Sequence, residues 1–210
     1  MIIGICGFQS SGKDTIADYL IKEHHFIKFS FAAVLKDIIS IMFDWPRDKL
    51  EGLTTEDRLW REQIDPWWSK TLDMPQLSPR YIMQYFGTDL FKKHFHTDIW
   101  VQIVENKINN HLRNNHLHNK NIIISDCRFE NEINMIIKLG GKIIHVYRNP
   151  PSWFYKYRQG EYPEEAEHIH KSEKDWIRCY KDYDIENEGT IEELHAKVHN
   201  IITYISEKSI

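Results

Sequence analysis

Ile2-Ile3-Gly4-Ile5-Cys6 runs directly into Gly7-Phe8-Gln9-Ser10-Ser11-Gly12-Lys13-Asp14-Thr15. The first five residues form an apolar run with the length and composition of a buried strand. The next nine open with the pattern G-x-x-x-x-G-K, a glycine-framed loop of the phosphate-binding type, and an amphipathic helix starts at about Asp14. The chemistry requires these residue types. Glycines let the backbone wrap an anion, its N–H groups point inward, and a lysine reaches the outer phosphates. The positive end of the following helix acts on the same spot. A glycine turn that merely starts a helix is the plainer alternative, and the flanking strand and helix argue against it. Gly7, Gln9, Ser10, Ser11, Gly12, Lys13, Asp14 and Thr15 are therefore expected to cradle the phosphates of a nucleotide.

One position departs from the usual pattern. The residue after the loop lysine is ordinarily Ser or Thr, whose hydroxyl binds Mg²⁺, whereas here it is Asp14. A carboxylate is also a hard oxygen ligand and can hold the ion directly or through water. The alternative is a first-turn acid that complements the helix dipole. The loop points this side chain at the phosphates, which favours the metal role.

Strand-like runs at Ile2–Cys6, Phe26–Phe29, Ile122–Ser125, Lys142–Tyr147 and Tyr183–Glu186 alternate with helical stretches. Ile122-Ile123-Ile124 is continuously apolar, as a parallel strand covered on both faces should be. Thr54 with Asp57 reads as a capping box, Ser78-Pro79 as a cap with a first-turn proline, and Thr190 with Glu193 as the cap of a last helix. Gly140-Gly141 stops the helix expected over Phe129–Leu139. Alternation of this kind predicts an α/β fold with a five-stranded parallel sheet flanked by helices. The 210 residues suit a single domain. About 90 residues separate the second strand from the third, too many for one crossover, so an inserted helical region over 30–118 is expected. The polar, tyrosine-rich stretch 149–172 reads as a mobile cover.

A net charge of −4 leaves no global basic field for a nucleic-acid backbone. No apolar run approaches membrane-spanning length. Because the first residues already form the strand, no signal peptide is expected. Cys6, Cys127 and Cys179 lack any C-x-x-C spacing, which points to reduced thiols in a cytoplasmic compartment. His111, His116 and His118 fall in a polar stretch that reads as a solvated helix end and loop rather than a metal cluster.

Ser125-Asp126-Cys127-Arg128 ends the third strand. That is where an enzyme with such a loop carries a second Mg²⁺-directed carboxylate, so Asp126 is expected there; a helix cap is its plainer role. Arg128 suits a forked phosphate contact, or alternatively a surface pair with Glu130 or Glu132. Arg80 and Gln84 lie one turn apart on one helix face and suit a monophosphate and a base edge, although spacing alone also allows a surface pair. Gly87-Thr88-Asp89 reads as a turn and Trp100 as a core aromatic. Arg148, just before the expected cover, and Arg158, within it, are placed to bring charge to a transferring phosphoryl group; unpaired arginines of a surface loop are the equal alternative. Asn187, Gly189 and Thr190 follow the fifth strand, where they either border a nucleotide base or form a turn and helix cap.

Taken in order, these motifs resemble the phage and viral deoxynucleoside monophosphate kinases of the P-loop superfamily. The resemblance runs through Ser11-Gly12-Lys13-Asp14-Thr15, Leu35-Lys36-Asp37, Arg80, Gln84-Tyr85-Phe86-Gly87-Thr88-Asp89 and Trp100-Val101. It continues through Asp126-Cys127-Arg128-Phe129-Glu130-Asn131-Glu132, His170-Lys171-Ser172-Glu173 and Asn187-Glu188-Gly189-Thr190. That family also carries Asp after the loop lysine. The resemblance implies ATP- and Mg²⁺-dependent phosphorylation of deoxynucleoside monophosphates to diphosphates, in the host cytoplasm if the chain is viral, and is compatible with a homodimer. It implies that Lys13, Arg128 and Arg148 are catalytic, that Asp14 and Asp126 hold the metal, and that Asn187, Gly189 and Thr190 join the loop in binding ATP. Lys36, Arg80, Gln84, Asp89, Trp100, Arg128, His170 and Glu173 are the implied acceptor residues. The stretch Trp45 to Leu77 aligns with nothing in that pattern. Animal-type phosphomevalonate kinases also carry Gly-Lys-Asp, but Gln84 among aromatics favours a base-bearing acceptor. A nucleotide-binding switch or ATPase is the rival of a different class, and the acidic balance counts against it.

Overall fold

The computed structural model of the chain describes residues 1–114 and 121–208, so His116 and His118 lie outside the described residues. Strands β1 (Ile2–Gly7), β2 (Ile27–Phe29), β3 (Ile122–Cys127), β4 (Lys142–Tyr147) and β5 (Tyr183–Glu186) form one sheet in the order β2-β3-β1-β4-β5. All four pairings are parallel. The helices in chain order are α1 (Lys13–His24), α2 (Ala33–Phe43), α3 (Thr55–Glu62), α4 (Pro66–Thr71) and α5 (Pro79–Gln84). They continue with α6 (Ile99–Asn114), α7 (Glu130–Lys138), α8 (Phe154–Arg158), α9 (Lys171–Lys174) and α10 (Ile191–Glu207). The chain divides into two compact units, Met1–Ser30 with Val104–Ile210, and Phe31–Ile103.

The first unit is the sheet with its helices. Ile3 and Ile5 of β1, Ile123 of β3 and Ile144 of β4 are fully buried, as strands covered on both faces must be. On one face, Ile16, Ala17 and Leu20 of α1 meet Leu194, Val198, Ile202 and Ile205 of α10. Such aliphatic side chains each contribute roughly 1.5–3 kcal/mol on burial. Both expected capping boxes are formed, Thr54 with Asp57 and Thr190 with Glu193. Gly140 adopts φ +75°, the left-handed stop expected after α7. None of the described helices is long and apolar enough to cross a membrane.

The second unit explains the tryptophans. Trp45 stacks on Phe43 with centroids 4.6 Å apart, and Trp68 meets the same ring edge-on at 5.0 Å. The Trp45 indole donates to Asp65 (2.8 Å) and that of Trp68 to the Phe43 carbonyl (3.1 Å). A buried indole needs such a partner for its N–H. In the stretch that the sequence leaves unassigned, Trp45, Leu50 and Leu77 are buried and Trp60 and Trp68 pack partly buried against that core, whereas most of its other residues, Trp67 among them, are exposed. Gly87-Thr88-Asp89, expected as a turn, instead lies in a π-helical stretch, Tyr85–Phe95, that continues α5. The Trp100 indole reaches back to the Gly87 carbonyl (2.9 Å) across this wide turn.

Residues 149–178 are less polar in structure than in sequence. Trp153, Phe154, Tyr157, Trp176 and Ile177 are buried, and Arg178 lies between the rings of Tyr157 and Tyr162 at 3.8 and 4.0 Å. The edge of the Trp176 ring system meets His145 of β4 at 5.2 Å. Burial, and then the charges of Lys181 and Arg158, push the His145 imidazole down to about 3. Its Nε2 is buried without a hydrogen-bond partner. The folded pKa lies below the unfolded value, so the unfolded chain binds the extra proton and stability falls as pH drops from about 6.5 toward 3. Urea unfolding should therefore show His145 removing about 2 kcal/mol between pH 7 and pH 5. His145→Leu, which leaves no polar atom unpaired, should flatten that part of the acid limb. An equally steep loss in the variant would contradict the assignment.

Candidate active site

The loop between β1 and α1 owes its shape to two glycines. A Cβ on Gly7 would stand 2.1 Å from the Val146 carbonyl oxygen and 2.7 Å from the Ser11 hydroxyl. Gly12 caps α1 in the left-handed region, at φ +104°, a conformation that costs glycine least. Ser10 also takes φ +61°. The Ser11 carbonyl accepts from the buried Asn187 side chain at 2.9 Å. Lys13 Nζ donates to the carbonyls of Gly7 (2.9 Å) and Phe8 (2.5 Å). Burial lowers the Lys13 pKa and the Arg128 charge lowers it further, while Asp14 and Glu173 oppose the shift. A phosphate placed here would relieve that cost by supplying negative charge.

The carboxylates gather at the carboxyl ends of the strands. Asp14, at the start of α1, accepts from the Ser125 hydroxyl at 3.3 Å and pairs with Lys28 at 3.4 Å. Asp126 at the end of β3 accepts from Ser30 at 2.7 Å. Asp126 caps no helix. The amino end of α7 is held by Glu132, whose carboxylate accepts from the backbone N–H groups of Arg128 (2.7 Å) and Phe129 (3.1 Å). Among the described residues no group of three or more His, Cys, Asp or Glu could hold a metal ion alone. Mg²⁺ is commonly held by one or two carboxylates together with phosphate oxygens and water. The hard oxygen donors of Asp14 and Asp126 fit that kind of site.

Arg128 reaches neither Glu130 nor Glu132 with its guanidinium; it contacts Glu173 at 2.5 Å and the Ser172 hydroxyl at 3.4 Å. Two motifs about 45 residues apart thus meet. His170 helps to set this arm, its Nδ1 accepting from the Ser172 backbone N–H at 3.3 Å. Arg148 is exposed at the end of β4. Arg158 differs from expectation: Asp184 holds it at 2.6 Å and it lies over Tyr147 and Phe154. Thr190 caps α10 through the Glu193 backbone N–H (3.2 Å), with Gly189 exposed beside it.

In the second unit, Arg80 and Gln84 lie one turn apart on α5. Arg80 is partly exposed and 4.0 Å from Glu62, while Gln84 is exposed. Tyr81 and Tyr85 run alongside with parallel rings 6.0 Å apart. Asp89 is exposed on the π-helical stretch. Lys36 is mostly buried and paired with Glu51 at 2.5 Å, and Glu51 also binds Arg47. Trp100 is buried and supports Gly87 from the core.

Sequence reasoning missed four supports of this site: Phe8, Ser30, Glu132 and the Asn187 brace. Only Glu132 had a legible signal, its spacing of three after Phe129, which is that of an acid serving a helix start.

The model of the deoxynucleotide monophosphate kinase family matches residues 61–198. A protein of Acanthamoeba polyphaga mimivirus, named "Putative deoxynucleotide monophosphate kinase", is 31% identical over 99% of this chain and 98% of its own length. Dephospho-CoA kinase from Campylobacter jejuni shares the fold at a TM-score of 0.51 with 17% identity, covering 100% of this chain and 98% of that one. Shikimate kinase from Aquifex aeolicus aligns over 100% of this chain and 98% of its own, with 15% identity and a TM-score of 0.44. With a family model that matches residues 61–198 and a viral relative aligned over nearly its whole length, the chain belongs to the deoxynucleotide monophosphate kinase family.

Proposed function

We propose that the protein transfers the γ-phosphoryl group of ATP to a deoxynucleoside monophosphate, with Mg²⁺ bound through Asp14 and Asp126. The observation that carries this reading is the grouping, in one unit, of the Lys13 loop, the Ser125-tied Asp14, Asp126 and Arg128 at the carboxyl ends of β1 and β3. An acceptor phosphate oxygen attacks the γ-phosphorus, the bond to the β–γ bridging oxygen breaks, and ADP leaves with the electron pair. The attacking oxygen is already anionic, so no general base is needed. Mg²⁺, when bound, would neutralise charge on the β- and γ-phosphates.

The chain's own residues do the rest. The loop N–H groups and Lys13 orient the ATP phosphates, and Lys13 exchanges the Gly7 and Phe8 carbonyls for phosphate oxygens. Arg128, now held by Glu173, is positioned to clamp the transferring group, and the exposed Arg148 adds a second cation. Arg80 takes the acceptor phosphate and Gln84 a base edge; Lys36 and Asp89 of the same unit, and His170 and Glu173 of the sheet unit, are the further acceptor residues of this reading. Asn187, Gly189 and Thr190 border the ATP side. Segment 149–172 would exclude water, without which ATP is hydrolysed. Cys6, Cys127 and Cys179 are free thiols, which supports a reducing, cytoplasmic setting.

Lys13→Ala should lower turnover at least ~10²-fold, the usual cost of a lost charge contact at a transferring phosphoryl group. Its melting temperature should stay near wild type, because Lys13 serves the loop rather than the core. Near-normal turnover would remove the phosphate-loop assignment.

Asp14→Asn and Asp126→Asn should each raise the Mg²⁺ concentration needed for half-maximal rate more than they raise the acceptor KM. Titration of Mg²⁺ with both variants checks this. Unchanged Mg²⁺ dependence in both would leave Asp14 as a helix-dipole partner only.

Arg80→Lys keeps the charge but loses the fork, so it should weaken all deoxynucleoside monophosphates alike. Gln84→Ala should reorder them, because an unpaired base edge costs roughly 1–3 kcal/mol. Assaying each monophosphate, with mevalonate phosphate as the control acceptor, reads both effects. A loss confined to ATP affinity would displace these residues from the acceptor side.

A further inference from the structure

Phe8 occupies the first variable position of the loop, where the phosphate chemistry makes no demand on the side chain. Its ring nevertheless enters an aromatic cage. Trp176 meets it edge-on at 5.1 Å, Phe154 at 5.5 Å and Trp153 at 5.9 Å, with interplanar angles of 68–84°. These are favoured aromatic geometries, and the three partners are almost completely buried. The Phe8 backbone is equally engaged: its carbonyl accepts from Lys13 Nζ at 2.5 Å and from the Ser11 N–H at 3.3 Å. On the far side of the cage, the Trp176 indole donates to the Glu173 carbonyl at 3.1 Å, and the Glu173 carboxylate holds Arg128 at 2.5 Å. One side chain therefore links the loop that carries Lys13 to the segment that sets Arg128.

We infer that Phe8 is a positioning residue, fastening the phosphate loop to the Trp153–Arg178 segment so that Lys13 and Arg128 are held in fixed relation. The physical need is specific. Ser10 and Gly12 hold left-handed backbone conformations, and such conformations persist only when their surroundings over-determine them. The Asn187 side chain braces the loop at Ser11, and Phe8 braces the opposite end. A loop fixed at both ends presents its N–H groups without first ordering them, whereas a shift of about 1 Å in such a group can cost ~10²-fold in rate. Phe8 touches no reacting atom in this scheme and acts through Lys13, Trp176 and Arg128. The catalytic part of the claim rests on the kinase reading above; the mechanical part does not.

The test uses the full chain with Phe8→Ala and Phe8→Tyr, the latter keeping a ring in the cage. Hydrogen exchange of residues 171–178, without ligand and at saturating ATP, is measured beside kcat and KM for ATP. Phe8→Ala should exchange faster there without ligand and lose the slowing that ATP produces in the wild type. Its KM for ATP should rise at least tenfold, with the KM for the acceptor changing less than threefold. Phe8→Tyr should restore both readouts to within about threefold of wild type. Unaltered exchange at 171–178 in Phe8→Ala would overturn the anchor, as would a KM for ATP within twofold of wild type. Should Phe8→Ala fail to fold, Phe8→Leu keeps apolar bulk without ring edges and is judged by the same outcomes. A wild-type protein that binds no ATP would overturn the kinase reading, and ligand-free exchange would still decide the anchor.

Discussion

The backbone of β4 passes so close to Gly7 that the Val146 carbonyl oxygen lies 2.1 Å from where any Cβ would stand. That approach follows from the parallel pairing of β1 with β4, whose register ends at Gly7 and Val146. It fixes where the chain leaves the sheet, and so where the loop begins. From there to the left-handed Gly12 the loop has five residues to turn and start α1. The sheet is therefore more than a support beneath the site: its central strand pair determines which residue can occupy the first loop position, and only glycine fits.

Both cations nearest the transfer point are satisfied by the protein itself. Lys13 is bound by two loop carbonyls and Arg128 by Glu173. Leaving either charge half-buried and unpaired would cost more than the pairing returns, so each needs a partner that a ligand can replace. The partners differ in kind. Carbonyls compete weakly for a lysine against phosphate oxygens, whereas Glu173 is a full carboxylate competing for a fork. Glu173 is therefore the harder partner to displace: under the proposed function the loop would fill first, and Arg128 would turn to a ligand once enough negative charge had collected beside it.

What the sequence made legible is what periodicity and local turn chemistry encode. The five strands, the loop, and the caps at Thr54, Ser78 and Thr190 all follow from patterns shorter than a dozen residues, and the structure forms them. What it hid depends on partners distant in the chain. Phe8 occupies a variable position of the loop pattern, and only the fold brings Trp153, Phe154 and Trp176 to it. The 149–172 stretch looked polar and tyrosine-rich, because its aromatics are spaced irregularly between charges, following neither a helical nor a strand period. The tryptophans of the second unit had no sequence assignment, because what settles them is distant too: Trp45 is buried and Trp68 partly buried, each with its indole satisfied by a residue about 20 or more positions away. Arg158, free in sequence, is claimed by Asp184 on the edge strand.

Strand β2 brings these threads together. It has three residues, none fully buried, so hydrophobic burial contributes little to holding it at the edge of the sheet. Polar side chains in and just after it work instead. Lys28 pairs with Asp14, and Ser30, which follows the strand and is the last residue of the sheet unit before the helical one, donates to Asp126. Asp14 is thus steadied from a weakly anchored strand and Asp126 from the residue after it. An apolar strand of the same length would pack better, but it would leave Asp14 without Lys28. The chain gives up burial at this edge of the sheet and gains partners for two carboxylates. Stability alone does not favour that exchange, whereas it suits the proposed function, in which these acids hold a divalent ion against phosphates.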